Sequence, residues 1–221
     1  MRVVIFGATG MIGQGVLREC LESPVVDSVT VVGRTKTGAK HDKITERVHD
    51  DLFDLNDLHS VLTGLDACFF CLGVSAIGLS EEEYTRITYD LTVSVAGALL
   101  ELNPAIAFCY VSGAGTNSSA SGRVMWARVK GKTENHLLEM PFRASYMFRP
   151  GYIQPLRGIK SKTRVYRLLY ALLSPLYPVF RWIFPGSVTD TQRVGRAMIR
   201  AVVNREEKRI LEAKDINRLA G

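Results

Sequence analysis

Long apolar runs are missing from this 221-residue chain: no run of eighteen apolar residues exists without interruption by a charge or a proline, so no membrane-spanning helix is expected. Cysteine is scarce. Cys20, Cys68, Cys71 and Cys109 all lie in apolar stretches, which argues against a disulfide framework and for a reducing, cytoplasmic setting. Cys68 and Cys71 spell C-x-x-C, but residues three apart on a strand point to opposite faces, so both read as small core residues. The four histidines (His41, His49, His59, His136) are scattered without ligand spacing, and no metal site is expected. Internal repeats and low-complexity linkers are absent. A strand pattern begins at once, so no secretory signal is expected. The formal charge of +6 favours anionic partners. The basic residues are spread out, without aromatic interleaving or a recognition-helix pattern, and nucleic acid is therefore not an expected partner. The length fits one domain, 1–221.

What is present is concentrated in the first fifteen residues. Val3, Val4, Ile5 and Phe6 make an apolar run suited to a buried parallel strand. It leads directly into Gly7-Ala8-Thr9-Gly10-Met11-Ile12-Gly13, and then into a helical pattern with Val16, Leu17, Cys20 and Leu21 on one face. Strand, glycine turn and helix in that order are the setting of a dinucleotide-binding turn. Gly7 permits the tight turn, Gly10 lets backbone approach a pyrophosphate, and Gly13 lets the helix lie close to the strand. The amides and positive dipole end of the helix then face the phosphates. A glycine-rich turn without a ligand is the structural alternative.

A second absence follows. A strand over Asp27–Val32 ends at Gly33-Arg34, where a dinucleotide fold usually places a carboxylate for the ribose 2′-hydroxyl, and none is there. Arg34 stands in its place, with Lys36 and Lys40 behind it, and a guanidinium suits a 2′-phosphate. NADP(H) is therefore expected over NAD(H), with NAD(H) left open; a basic surface loop is the alternative. A third strand, Ile44–Val48, brings Asp51 and Leu52 to the same edge, where the carboxylate can meet adenine or merely cap the next helix. Ala67–Leu72 reads as a central strand that delivers Cys71, Leu72 and Gly73 to the cofactor. A long helix over Glu81–Leu102 follows, then a fifth strand, Ala105–Val111, ending at Ser112. A Gly/Ser-rich loop, a helix over Val124–Glu139 and a sixth strand, Ala144–Phe148, bring the chain to Pro150, Gly151 and Tyr152. This alternation predicts an α/β fold with a doubly wound parallel sheet, the Rossmann fold, over 1–151.

The words Gly7-Ala8-Thr9-Gly10, Phe70-Cys71-Leu72-Gly73, Val111-Ser112-Gly113, Val129-Lys130-Gly131 and Phe148-Arg149-Pro150-Gly151 occur in this order over about two thirds of the chain. Together they resemble the atypical and extended short-chain dehydrogenase/reductases. The likeness is to the Tat-interacting-protein-like group and to bacterial NAD-dependent epimerase/dehydratase-like relatives. The resemblance implies a catalytic Ser112, with Lys130 holding the nicotinamide ribose and tuning a tyrosine four residues before it. Here that position is Trp126. Its indole N–H donates but cannot exchange a proton near neutral pH. Tyr84, Tyr89, Tyr152 or a water could supply the proton, the substrate could supply it, or the protein could be a nucleotide-sensing regulator or scaffold without turnover.

From Tyr152 the alternation stops. The resemblance puts a substrate-pocket or lid region over 152–221, for a small molecule, an apolar one included. Arg157, Lys160, Lys162, Arg164 and Arg167 precede an apolar stretch, 168–184, broken by Pro175 and Pro178. Two packed helices, a lid, or peripheral membrane contact through 165–184 are the readings. Thr189 or Asp190 is expected to cap a helix to about Asn204, and Arg209–Leu211 to form a short strand. The polar end, Ala213–Gly221, reads as frayed. A monomer or a homodimer would be consistent with all of this.

Overall fold

The apolar run at the start of the chain becomes the centre of the sheet. In the computed structural model, which describes residues 1–159 and 186–221, β1 (Arg2–Phe6) pairs in parallel with β2 (Ser28–Gly33) on one side and β4 (Ala67–Phe70) on the other. The sheet extends through β3 (Ile44–Val48), β5 (Ala107–Val111), β6 (Ala144–Arg149) and a short β9 (Ile210–Glu212), in the order β3-β2-β1-β4-β5-β6-β9. Every pair is parallel. The order reverses between β1 and β4, and a doubly wound sheet opens a ligand crevice at such a switch point, beyond the carboxyl ends of its strands.

Alternation along each strand divides the core into two layers. Val3, Ile5, Phe69, Cys109 and Phe148 face the layer that includes α1 (Met11–Glu22), α6 (Thr191–Val203) and α7 (Ala213–Ala220). Val4, Phe6, Cys68, Phe70, Phe108 and Tyr110 face the other, which includes α4 (Leu91–Leu102) and Leu137 of α5 (Met125–Glu139). Phe6, Phe70, Phe108 and Phe142 form a ladder with centroids 5.8, 5.8 and 5.2 Å apart. Each step contributes about 0.5–1.5 kcal/mol beyond burial. Cys68 and the cysteine three residues on do face opposite layers, Cys71 lying just past the end of β4.

Three expectations are corrected. The helix over Glu81–Leu102 is not continuous: α3 (Glu81–Thr85), opened by a capping box between Ser80 and Glu83, passes through a π-helical turn at Arg86–Asp90 before α4. Asp51 caps no helix. Its carboxylate accepts from the Phe53 amide at 2.9 Å, and the helical turn ahead of α2 (His59–Leu62) begins only at Asn56, whose amide is taken by Asp54 at 3.0 Å. Ala213–Gly221 is not frayed, because α7 buries Ala213, Ile216, Leu219 and Ala220. Lys214 and Arg218 are exposed on the other face, and at eight residues that amphipathic pattern is easily mistaken for a tail.

Of the stretch 152–221, residues 188–220 join the core just described. Asp190 caps α6 through the Arg193 amide at 2.8 Å, and β7 (Tyr152–Gln154) pairs in parallel with β8 (Val188–Asp190). The apolar stretch 168–184, the membrane-contact segment 165–184, and Lys160, Lys162, Arg164 and Arg167 lie outside the described residues. Among the described residues no helix is long and apolar enough to cross a membrane, and no group of side chains could hold a metal.

Candidate functional site

The glycines do the steric work that the turn demands. Gly7 has φ +79°, and a Cβ there would stand 2.6 Å from the Leu72 amide nitrogen. A Cβ on Gly13 would overlap the Gly7 carbonyl oxygen, so α1 lies against the turn only because Gly13 has none. Gly10 is the N-cap residue of α1 and donates its amide to Gly7 O at 2.9 Å. No side chain caps that helix and no acidic residue lies in its first turn, which leaves the amide end of α1, at Met11, Ile12 and Gly13, for an anion. Ala8 is buried beneath the turn.

In front of it lies a cavity of about 870 Å³, within the range of small-molecule and cofactor sites. Gly7, Thr9 and Gly10 line its floor; Arg34, Asp51 and Leu52 line one side, and Cys71, Leu72 and Gly73 the other. Nine residues singled out from the sequence thus meet at one opening, from the ends of β1, β2, β3 and β4. Side chains not singled out complete the lining: Thr35, Asp50, Phe53 and Val74 from the same loops, and Ile87 and Leu91 from the π turn and the start of α4. The π turn carried no readable signal, since it changes helical phase without changing composition. Arg86 lies over the Phe53 ring, 5.8 Å from its centroid, at this rim. Two glycines in the floor, amides at a helix start and a cavity of this size fit a dinucleotide. Burial pushes the Cys71 thiol up to about 12, so at this wall it stays an uncharged thiol.

Ser112 and Lys130 are brought together one strand further along. Phe70 pairs with Tyr110, so Leu72 and Ser112 each follow the paired strands by two residues. The Ser112 amide and hydroxyl both donate to Phe148 O, at 2.9 and 3.1 Å. The Lys130 ammonium donates to the Ser112 carbonyl. Burial pulls the Lys130 amine down to about 8, partly offset by the Glu134 carboxylate one turn along α5. Trp126 occupies the first turn of α5, with Gly115 packed beside its ring. The loop carrying Gly113–Ser118 is fitted to that helix: a Cβ on Gly131 would overlap Asn117 O, and the Asn117 amide donates to Ala127 O at 3.0 Å.

The other tyrosines are placed as follows. Tyr84 is buried. Tyr89 shares a 2.8 Å hydrogen bond with His136 Nδ1 and lies under the Lys132 ammonium. Tyr152 donates to Gln154 Oε1 at 2.8 Å, and burial raises its phenol. Pro150 and Gly151 do not line the cavity. Pro150 O accepts the Ala114 amide at 2.9 Å, and a Cβ on Gly151 would overlap the Ser187 carbonyl, so these two residues hold backbone segments together.

A pair that sequence reasoning missed lies beneath. Glu134 is 0% and Arg149 8% exposed, and the Arg149 Nε donates to both Glu134 oxygens at 3.0 and 3.2 Å. Arg149 also reaches Ser118 Oγ at 2.6 Å and Glu212 at 3.3 Å. In the sequence Arg149 stands out only as part of Phe148-Arg149-Pro150-Gly151, and its partner fifteen residues away carries no separate signal.

Comparison with known proteins agrees with this geometry. A family model described as the NAD dependent epimerase/dehydratase family matches residues 3–123. The protein fmp52, mitochondrial, of Aspergillus fumigatus is 28% identical over 158 residues, 68% of this chain and 66% of its own length. Protein HTATIP2 of Rattus norvegicus is 27% identical over 154 residues, 68% of this chain and 62% of its own length. The chain therefore matches just under two thirds of either relative. A crystal structure of UDP-glucose 4-epimerase superposes with a TM-score of 0.68 at 15% identity, covering 99% of this chain and 80% of that one, a likeness of fold. With more than half of its residues under the family model and a glycine turn, switch-point cavity and parallel sheet to match, the chain belongs to the NAD-dependent epimerase/dehydratase family.

Proposed function

We propose that the chain is an oxidoreductase-like protein that prefers NADP(H) and acts on a small molecule beside Ser112 and Lys130. The observation that carries the preference is Arg34. It is exposed and lines the cavity at the end of β2, standing at the position where NAD-specific folds place a carboxylate. Gly7, Thr9, Gly10 and the amides of Met11, Ile12 and Gly13 take the pyrophosphate, Asp51 and Leu52 the adenine, and Lys130 the nicotinamide ribose. The cofactor would supply a hydride acceptor or donor. Ser112 Oγ donates to Phe148 O but retains lone pairs, and so can accept from a substrate hydroxyl. Val74 at the cavity wall, and Ile77 and Val124 in the adjoining loops, are exposed apolar side chains, which supports an apolar substrate.

Purified protein mixed with NADPH and with NADH, followed by fluorescence and melting temperature, tests the reading. A bound dinucleotide adds about 2.7 kcal/mol of stability at a hundredfold excess over its Kd. No shift with either would overturn it. Arg34→Ala is expected to weaken NADPH and leave NADH nearly unchanged; equal losses would dismiss the 2′-phosphate assignment.

Trp126 favours a second reading, a nucleotide-sensing regulator or scaffold without turnover, because an indole cannot exchange a proton at neutral pH. A screen of carbonyl and hydroxyl substrates by NADPH absorbance separates the two, especially if Trp126→Tyr creates turnover. The four free thiols suit a reducing compartment such as the cytoplasm, while fmp52 carries "mitochondrial" in its name; cell fractionation decides.

A further inference from the structure

Trp126, Lys130 and Glu134 recur every four residues along α5 and so share one face. Glu134 is fully buried, yet its partner Arg149 is also buried, and a buried ion pair is poor value for stability alone, since well-packed apolar side chains usually serve as well or better. Its placement gives it another use. Arg149 sits between two backbone carbonyls that hold the Ser112 segment: Phe148 O takes the amide and hydroxyl of Ser112, and Pro150 O takes the amide of Ala114. The Arg149 side chain meanwhile grips α5 through Glu134 and the following loop through Ser118. The Lys130 ammonium spans the same gap, from α5 to the Ser112 carbonyl.

We propose that Glu134, clamped by Arg149, is a positioning residue: it is the counter-charge of the Lys130 ammonium and holds it against the Ser112 segment. The titratable and charged groups tied to it are Arg149 on β6, its ion-pair partner, Tyr110 on β5, whose phenol its charge raises, and Glu212 on β9, which shares Arg149. Among the described residues of this set, Glu134 is the anion wholly out of water; the Glu212 carboxylate is 42% exposed. Burial pulls the Lys130 amine down to about 8, and the Glu134 charge is what opposes that pull. Removing it would lower the amine further and leave a smaller share of ammonium to donate to the Ser112 carbonyl. The inference rests on the proposed function only in placing Lys130 at the nucleotide site.

The test reads Lys130 directly. Full-length protein is labelled with a trace of acetic anhydride between pH 6 and 10, and Lys130 acetylation is followed by peptide mass spectrometry. Wild type is expected to label half-maximally near pH 8. Glu134→Gln keeps the shape and removes the charge, and the midpoint should fall by at least about half a pH unit, making labelling at pH 7 about threefold faster. A folded Glu134→Gln protein with an unmoved midpoint overturns the proposal, because a merely structural role would lower the melting temperature and leave the midpoint alone. If that variant does not fold, Glu134→Asp keeps Arg149 paired while drawing the charge back by one methylene; a lowered midpoint then supports the proposal and an unmoved one overturns it. NADPH protection of Lys130 is a separate arm: a midpoint that moves without protection supports the counter-charge and counts against the proposed function.

Discussion

A carbonyl oxygen decides how far Gly13 can change. It lies where a Cβ would go, and the oxygen belongs to Gly7, whose own φ of +79° leaves it little freedom to retreat. Gly13→Ala is therefore expected to lift α1 off the turn. It should lose about 1–3 kcal/mol in urea unfolding, as overpacked sites do, together with dinucleotide binding. Gly131→Ala meets Asn117 O in the same way, but far from the glycine turn. It is expected to shift the loop beyond Ser112 with a similar stability loss while leaving the cavity at Arg34 intact. Fluorescence titration with NADPH should therefore separate the two: binding abolished in the first, only weakened in the second. The glycines, Arg34 and Asp51 could be read from sequence because each is fixed by spacing from a strand end. Glu134 and Arg149 could not, because a buried charge pair is defined by a contact between a helix and a strand, and a single sequence does not reveal contacts.

At the scale of elements, the strands were legible because buried parallel strands are short, nearly continuous apolar runs. What escaped were the places where phase changes or length is short. The π turn at Arg86–Asp90 puts Ile87 and Leu91 on the cavity wall, and its residues fit an uninterrupted helix as well as a broken one. The closing helix α7 looks polar at first glance, yet Ile216 is fully buried in the layer containing α1 and α6. Ile216→Ala is accordingly expected to cost about 2–5 kcal/mol, the usual range for deleting a buried isoleucine side chain. A midpoint shift in urea at constant slope is the measurement. A loss below about 0.5 kcal/mol would mean that the segment frays after all.

Taken as a whole, the molecule keeps three thiols in its interior and a fourth, Cys71, half-buried at the cavity wall, and that sets its behaviour in alkali. Burial holds the Cys20, Cys68 and Cys109 thiols well above their ordinary range and Cys71 at about 12. For an acid whose pKa is raised by folding, the unfolded chain loses its proton first as pH rises. Stability then falls by about 1.4 kcal/mol per pH unit for each such thiol once the pH exceeds the unfolded value. Lys130 works in the opposite direction. Its amine is lowered from 10.5 to about 8, so between those values the unfolded chain holds the extra proton and stability rises, by at most the slope of one group. Below pH 8 both states carry the same protons at these groups and neither contributes a slope. Above pH 9 four falling terms oppose one rising one, and the fold should weaken steeply. Urea midpoints between pH 7.5 and 10.5 check this, with Cys68→Ala and Cys109→Ala each expected to remove about one proton's worth of the slope. An unchanged slope in both variants would show that these thiols ionise in place, and that the two apolar layers admit water more readily than their packing implies.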